Sequence, residues 1–130
     1  MKFVPVSRAN KKPEHAAARL ASEEPAAREA MTELLALIED RRRLDLLAEA
    51  VASEGDALLR LRQVAILAEE GDRRGLLAAL ETLRDGTPPL LRDEAHALLL
   101  RVSGEDFGYD PFSSESDNRA ALQGWRSWLE

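Results

Sequence analysis

Four carboxylates near the C-terminus are the strongest candidates for metal chemistry in this chain; they are Asp106, Asp110, Glu115 and Asp117. Loops rich in such oxygen ligands hold calcium in many proteins. The alternating Asp-x-Asp-x-Asp-Gly spacing of a calcium loop is absent, however, because Phe107 and Tyr109 interrupt the sequence. A capping role fits better: Asp110, with Ser114 or Ser116, is expected to cap the last helix.

The two histidines show no metal-binding or catalytic pattern. His15 lies within residues 1–22, which we call the leader, and His96 lies in a helical stretch. Neither has a second ligand three or four residues away, as a zinc-binding helix requires. We expect His96 to flank the apolar stripe of its helix.

Signatures of catalysis are missing from the rest of the sequence. The chain contains no cysteine, which excludes disulfides, thiolate zinc sites and cysteine nucleophiles. It has no glycine-rich phosphate loop, no Ser-His-Asp order and no nucleophile elbow. The sequence therefore predicts a protein that is not an enzyme, with no catalytic residue, no cofactor and no bound metal.

Most of the aromatic side chains cluster near the C-terminus, at Phe107, Tyr109, Phe112, Trp125 and Trp128. An aromatic cluster can form a ligand pocket or a hot spot for a partner protein. At the end of a helical array, the same cluster more often closes the last exposed face of the core. We predict this closing role for residues 104–130, with Trp125 buried and room for one of the two tryptophans to remain partly exposed.

Two basic segments are the candidates for binding a partner protein. The leader has five basic residues against Glu14 alone, and it holds an extended apolar patch around Pro5. Such a patch between basic residues is a workable docking peptide, although a solvated tail is the alternative. A second basic cluster follows Glu39 and Asp40, which offer local neutralisation instead. The predicted partner-binding residues are Phe3, Val4, Val6, Lys11, Lys12, Arg41, Arg42 and Arg43.

The charge distribution argues against nucleic acid as the partner. The net charge is −6, the leader carries +4, and residues 23–130 therefore carry −10. Phosphate binding needs a basic surface, which an acidic body does not offer. No apolar run reaches the length of a membrane span, and residues 1–15 lack the apolar core of a signal peptide. We expect a cytoplasmic protein without membrane insertion.

Helical periodicity dominates residues 23–130. Leu and Ala are abundant while β-branched and aromatic residues are scarce, which favours helices over strands. Apolar residues recur at intervals of three and four in successive segments, with short connections except at 104–113. These observations predict an all-α protein, an α-solenoid of about six antiparallel helices without a sheet. The leader is expected to be weakly ordered, residues 23–130 to form one domain, and residues 104–130 to cap it.

A repeat centred on glycine marks the predicted helix ends. The sequence Glu-Gly-Asp at 54–56 recurs at 70–72, and Gly86 follows fifteen residues after Gly71. Each glycine is expected to take the left-handed conformation that stops a helix. The predicted N-cap residues are Ser22, Asp56, Asp72 and Thr87. The third helix is predicted to bury a stripe formed by Leu58, Leu61, Ala65 and Ala68.

Two segments of the C-terminal half carry a more specific pattern. Residues 91–99, LRDEAHALL, combine a hydrophobic-Arg pair with an alanine and a later leucine. Residues 103–111, SGEDFGYDP, precede a helix with Asn118, Arg119, Trp125 and Trp128. In both respects residues 56–130 resemble the HEAT-repeat family in its bacterial helical-hairpin form. Because that family is a class of scaffolds, the resemblance implies partner binding rather than a reaction.

The leading hypothesis is therefore a non-catalytic protein–protein interaction module or adaptor. The alternative is an accessory lyase or chaperone acting on a bound chromophore or cofactor, since some helical-repeat proteins that this chain resembles attach or remove bilins. Nucleic-acid binding by a curved repeat surface is a third hypothesis, against which the acidic body speaks.

Overall fold

The computed structural model describes residues 22–37 and 42–130, and it builds them as six α-helices without any strand in those two ranges. In chain order the helices are α1 (Pro25–Leu35), α2 (Arg42–Ser53), α3 (Ala57–Glu69), α4 (Arg73–Glu81), α5 (Pro89–Ser103) and α6 (Arg119–Leu129). The predicted all-α class is confirmed. Across the same ranges, no helix combines the length and the apolar character needed to cross a bilayer.

Two compact units divide the chain, one over residues 1–63 and the other over 64–130. We call them the N-terminal and C-terminal units. Their boundary falls inside α3, so the start of this helix belongs to one core and its remainder to the other. The single domain expected for residues 23–130 stays a prediction.

The core of the N-terminal unit is formed mainly by α1 and α2, which pack against each other. Met31 and Leu35 of α1 and Leu47 and Val51 of α2 are buried, as the apolar periodicity predicts. Thr32 is also fully buried. Its hydroxyl donates to the Arg28 carbonyl 2.8 Å away, so burial leaves no unsatisfied donor.

A buried ion pair joins the helices of this unit. The Arg28 guanidinium donates to both carboxylate oxygens of Glu54, with Nε–Oε1 at 2.9 Å and Nη2–Oε2 at 3.0 Å. Arg28 also donates to the carbonyls of Ser22 and Glu23, which ties the segment before α1 to the end of α2. The Glu54 side chain is only 2% exposed, so its charge depends on these partners.

The predicted stripe of α3 is only partly correct: Ala68 is buried as predicted, whereas Leu61 and Ala65 are half-buried. Leu58 is 70% exposed, whereas the neighbouring Leu59 is buried. The buried face passes through Gln63, a polar residue that periodicity alone does not assign to a core. Its Nε2 donates to Thr32 Oγ1 and Glu54 Oε1, each 3.3 Å away, which compensates for burial of the nitrogen. Its buried Oε1 has no hydrogen-bond partner within the described residues. The buried apolar residues of α3 are Leu59, Val64, Ile66, Leu67 and Ala68.

The C-terminal unit packs α4 against both α5 and α6. Gly75 allows α4 to approach α3 closely, since a Cβ at this position would lie 2.5 Å from both the Ala68 amide nitrogen and the Leu67 Cβ. The predicted apolar stripes of α4, α5 and α6 are largely confirmed. Their buried members are Leu76, Ala79, Leu83, Ala95, Leu98, Leu99, Leu122, Trp125 and Leu129.

Several predicted helix ends are confirmed. The Asp56 carboxylate accepts a hydrogen bond from the Leu59 amide at 2.9 Å, and Asp72 accepts one from the Arg74 amide at the same distance. Both are N-cap interactions of the expected kind. Gly71, with φ of 77°, has the left-handed conformation that favours glycine at the end of a helix.

Other predicted ends are wrong. Gly55 and Gly86 do not take the left-handed conformation, and Pro88, not Thr87, occupies the N-cap position of α5. The N-cap of α1 is Glu24 rather than Ser22, because Pro25 fixes the first helical residue. The Ser22 hydroxyl instead accepts a hydrogen bond from the Glu24 amide.

The last helix also begins later than predicted. It starts at Arg119, after a run of turns at 115–118, so neither Ser114 nor Ser116 is its N-cap. The Ser114 hydroxyl accepts from the Asp117 amide within that turn. The Asp110 carboxylate accepts from the Phe112 amide and the Ser113 hydroxyl, and so it stabilises a local turn rather than a helix end.

Candidate functional site

Most of the predicted partner-binding residues lie outside the described residues, namely Phe3, Val4, Val6, Lys11, Lys12 and Arg41. The structure places Arg42 on the surface at the start of α2, while Arg43 is half-buried in the next position. Both arginines already have interaction partners. The partner-binding role of these residues therefore remains a prediction.

The aromatic cluster closes the core of the C-terminal unit around one tryptophan. Trp125 is completely buried, as predicted, and three aromatic rings pack edge-on against it. Their centroids lie 4.7 Å away for Phe107, 6.0 Å for Trp128 and 6.3 Å for His96. Trp128 remains 38% exposed at the edge of the cluster. Phe112 is 64% exposed, contrary to the predicted closing role, whereas the other four aromatic side chains contribute mainly to packing.

The prediction that His96 flanks its helix is wrong. The side chain is buried, because the segment after α5 folds back and places Tyr109 over it with a ring distance of 5.0 Å. Burial lowers the pKa of His96, although the charges of Asp106 and Asp93 act in the opposite direction. Within the described part of the chain, its Nε2 atom has no hydrogen-bond partner.

Two buried polar side chains hold the long segment between α5 and α6. The Arg92 guanidinium donates to the carbonyls of Pro111 at 2.8 Å and Thr87 at 2.9 Å. The Asn118 amide donates to the Asp110 carbonyl at 2.8 Å, and its oxygen accepts from the Asp110 amide at 2.8 Å. Because both side chains bind backbone groups, they fix the path of the segment.

Three of the four candidate metal-ligating carboxylates, Asp106, Asp110 and Glu115, accept hydrogen bonds from backbone amides. Asp106 binds the Gly108 amide, and Glu115 binds the Asp85 amide, each at 2.8 Å. The Asp85 carboxylate in turn accepts a hydrogen bond from the Glu115 amide, also at 2.8 Å. No group of three potential metal ligands occurs among residues 22–37 and 42–130. The hydrogen bonds of Asp106, Asp110 and Glu115 stabilise the path of this segment.

The candidate site is an open groove of about 420 Å³ between α4 and α6. Four leucines supply its apolar lining: Leu77, Leu80, Leu83 and Leu122. Leu83 and Leu122 are buried and form its floor, while Leu77 and Leu80 are half-buried and remain available for contact. Charged residues form its rim, namely Glu81, Arg84, Glu115 and Arg126.

The two arginines of this rim differ from most arginines of the described residues. Arg84 and Arg126 are exposed, and neither guanidinium forms an ion pair or hydrogen bond within residues 22–37 and 42–130. Arg119, at the start of α6, shares this property, and Arg42 and Arg43 have partners. The remaining described arginines bind carboxylates or backbone carbonyls: Arg28, Arg60, Arg62, Arg73, Arg74, Arg92 and Arg101.

A second groove, of about 460 Å³, lies in the N-terminal unit. Two of its three carboxylates are already engaged: Glu33 binds Arg62 with Nε–Oε2 at 2.7 Å, and Asp56 caps α3. The hydrogen bond from Arg62 lowers the pKa of Glu33. This groove therefore offers fewer free charged groups to a partner than the groove between α4 and α6.

None of the sequence patterns described above indicated the groove between α4 and α6. Leu77 was a usable signal, because it lies outside the apolar stripe of α4 and yet is large and apolar. Arg84 and Arg126 gave no comparable signal, since arginines are spread along the chain among carboxylates. Only the three-dimensional pairing shows which arginines lack a partner.

Comparisons with protein-family models, with curated proteins and with solved structures find no match to this chain.

Proposed function

We propose that this chain is a non-catalytic protein–protein interaction module or adaptor, built on a small HEAT-like α-solenoid. The six helices with mostly short connections support a repeat of helical hairpins. The HEAT-like pattern of residues 91–99 and 103–111 supports the same proposal. A cytoplasmic location stays a prediction.

The observation that supports this function best is the leucine-lined groove between α4 and α6. Helical modules commonly bind a partner by accepting the apolar face of an amphipathic helix in such a groove. Half-buried leucines flanked by charged residues also have the usual composition of a protein interface, with an apolar centre and a polar rim.

Site-specific photo-crosslinking in the source cell tests this function. A photoreactive amino acid at position 80 lies in the groove, whereas one at position 97, exposed on α5, serves as the matched control. We expect a discrete protein adduct from position 80 and not from position 97. Adducts of equal yield from both positions, or none from position 80, would contradict the proposal.

A further inference from the structure

We infer that the groove between α4 and α6 binds an amphipathic helix whose apolar face is bracketed by two carboxylates seven or eight residues apart. This inference rests on the proposed function and specifies its partner by chemistry. It follows from the direction of the two helices, from the position of two unpaired arginines and from the charge of the chain.

The helices α4 and α6 run antiparallel. Arg73 at the start of α4 donates to the Leu129 carbonyl at the end of α6, with Nε–O at 3.1 Å. Beyond the other end of α4, the amide of Asp85 donates to Glu115, which precedes α6. Arg84 and Arg126 therefore stand at opposite ends of the groove.

The spacing of these arginines sets the spacing of the carboxylates. The antiparallel register places Arg126 near the first turn of α4, about eight residues before Arg84 in the sequence, and Arg84 follows the end of α4. At a rise of 1.5 Å per residue, eight residues correspond to about 12 Å, which is the approximate spacing of the two arginine backbone positions along the groove. A docked helix matches this distance with acidic residues at i and i+7 or i+8, and places leucines between them at i+3 and i+4.

The charge of the chain makes these two positions selective. Residues 23–130 carry a net charge of −10, so an acidic peptide is repelled by most of this surface. The rim of the groove also holds Glu81 and Glu115, so Arg84 and Arg126 are the two positions of this rim that attract a carboxylate. Complementary charges of this kind determine partner choice and register. The leader does not have the charge of the expected partner, because its net charge of +4 is repelled by both arginines.

Fluorescence anisotropy with designed peptides tests the inference on the full chain. The probe is a labelled helical peptide of about 14 residues with Glu at i and i+7 around Leu at i+3 and i+4, and its matched control carries Lys in place of Glu. We expect the Glu peptide to bind about tenfold tighter than the Lys peptide at physiological ionic strength. The preference should increase at lower salt.

Charge reversal locates the binding site. The double variant Arg84→Glu, Arg126→Glu should prefer the Lys peptide, whereas Arg119→Glu, on the same helix α6 but outside the groove, should behave like the wild type. Because all three side chains are exposed, these variants are expected to fold, which circular dichroism verifies. The neutral variants Arg84→Gln and Arg126→Gln should each weaken binding of the Glu peptide without favouring the Lys peptide.

The possible contrary results have different meanings. If neither peptide binds, the groove does not accept a helix, and its role in the proposed function falls together with this inference. If both peptides bind equally, the groove binds helices, but the predicted pairing of the peptide carboxylates with Arg84 and Arg126 is wrong. If the double variant Arg84→Glu, Arg126→Glu still prefers the Glu peptide, the peptide binds outside this groove. Markedly tighter binding by the full-length variant Phe3→Ser, Val4→Ser would assign the groove to the leader and overturn the inference.

Discussion

The stability of this protein depends on the electrostatic surroundings of individual buried side chains. His96 packs between Tyr109 and Trp125, where burial favours the neutral imidazole and lowers its pKa below the ordinary value of 6.5. A group whose pKa is lower in the folded state adds stability that is complete above the unfolded pKa. This stability is lost as the pH falls from 6.5 through the folded pKa, because the unfolded chain binds the proton more tightly.

We therefore expect the free energy of unfolding to decrease between pH 7.5 and 5 through the titration of His96. Urea denaturation at a series of pH values measures this slope. The variant His96→Gln should lose the His96 part of the slope, whereas His15→Gln should retain it. An unchanged slope in His96→Gln would show that other groups determine the pH dependence.

The ion pair between Arg28 and Glu54 yields a second prediction at this scale. Burial alone raises the pKa of Glu54, but hydrogen bonds from Arg28, the Asp56 amide and Gln63 outweigh it, and the net pKa is lowered. The variant Arg28→Met leaves the buried carboxylate without its charged partner. We expect a loss of about 3 kcal/mol, because removing one member of a buried pair typically costs several kcal/mol and Arg28 is partly exposed.

A matched control comes from the exposed pair Arg101–Glu69, whose side chains are 58% and 47% exposed. The variant Arg101→Met should cost less than about 1 kcal/mol, since solvent screens such pairs. Equal losses in the two variants, measured by denaturant unfolding, would refute a special role for the buried pair.

At the scale of helices, the close approach at Gly75 overrides helix propensity. Replacing glycine by alanine inside a helix usually stabilises by about 1 kcal/mol. At position 75 the added Cβ would meet backbone and Cβ atoms of α3 at 2.5 Å, and backbone atoms cannot move aside easily. We expect Gly75→Ala to destabilise by about 1–3 kcal/mol, the usual range for overpacking. The control Gly86→Ala, where nothing lies within 4 Å of the new Cβ, should leave the melting temperature nearly unchanged.

Truncation of the central aromatic ring of α6 should be among the most damaging changes. Trp125 is completely buried, so Trp125→Ala is expected to cost about 3–5 kcal/mol by the loss of packing and the resulting cavity. Trp128→Ala is the control, because that ring is 38% exposed and should cost clearly less. Similar denaturation midpoints for the two variants would mean that Trp125 does not anchor the core.

The sequence predicts the helices well where one apolar stripe faces one core. The stripes of α4 to α6 are of this kind, and Leu99, Leu122 and Trp125 are buried as expected. It fails in α3, where a polar residue, Gln63, occupies a core position and its Nε2 donates to residues distant in the sequence. The start of α6 was also missed, since Asn118 and Arg92 fix the preceding segment through backbone groups that periodicity does not reveal. The role of Arg84 and Arg126 was not predictable either, because it depends on which charges of the folded chain are already paired.

The whole molecule combines a basic leader with an acidic body. All lysines of the chain lie in the leader, and arginine is the basic residue of 23–130. We expect removal of residues 1–12 to leave the melting temperature nearly unchanged but to weaken binding of the physiological partner. Thermal unfolding and a binding assay on the truncated chain measure these two effects. A large loss of thermal stability would mean that the leader contributes to folding, and its predicted docking role would then be wrong.

The unequal environments of Trp125 and Trp128 give this protein an intrinsic optical probe. The indole of Trp125 is shielded from water and emits at shorter wavelength, whereas the partly exposed indole of Trp128 is accessible to soluble quenchers. Because the two rings contact each other at the end of α6, any loosening of the C-terminal unit changes both the emission wavelength and the quenched fraction. Protonation of His96, which packs against Trp125, and local opening of this unit can thus be followed in solution without an attached label.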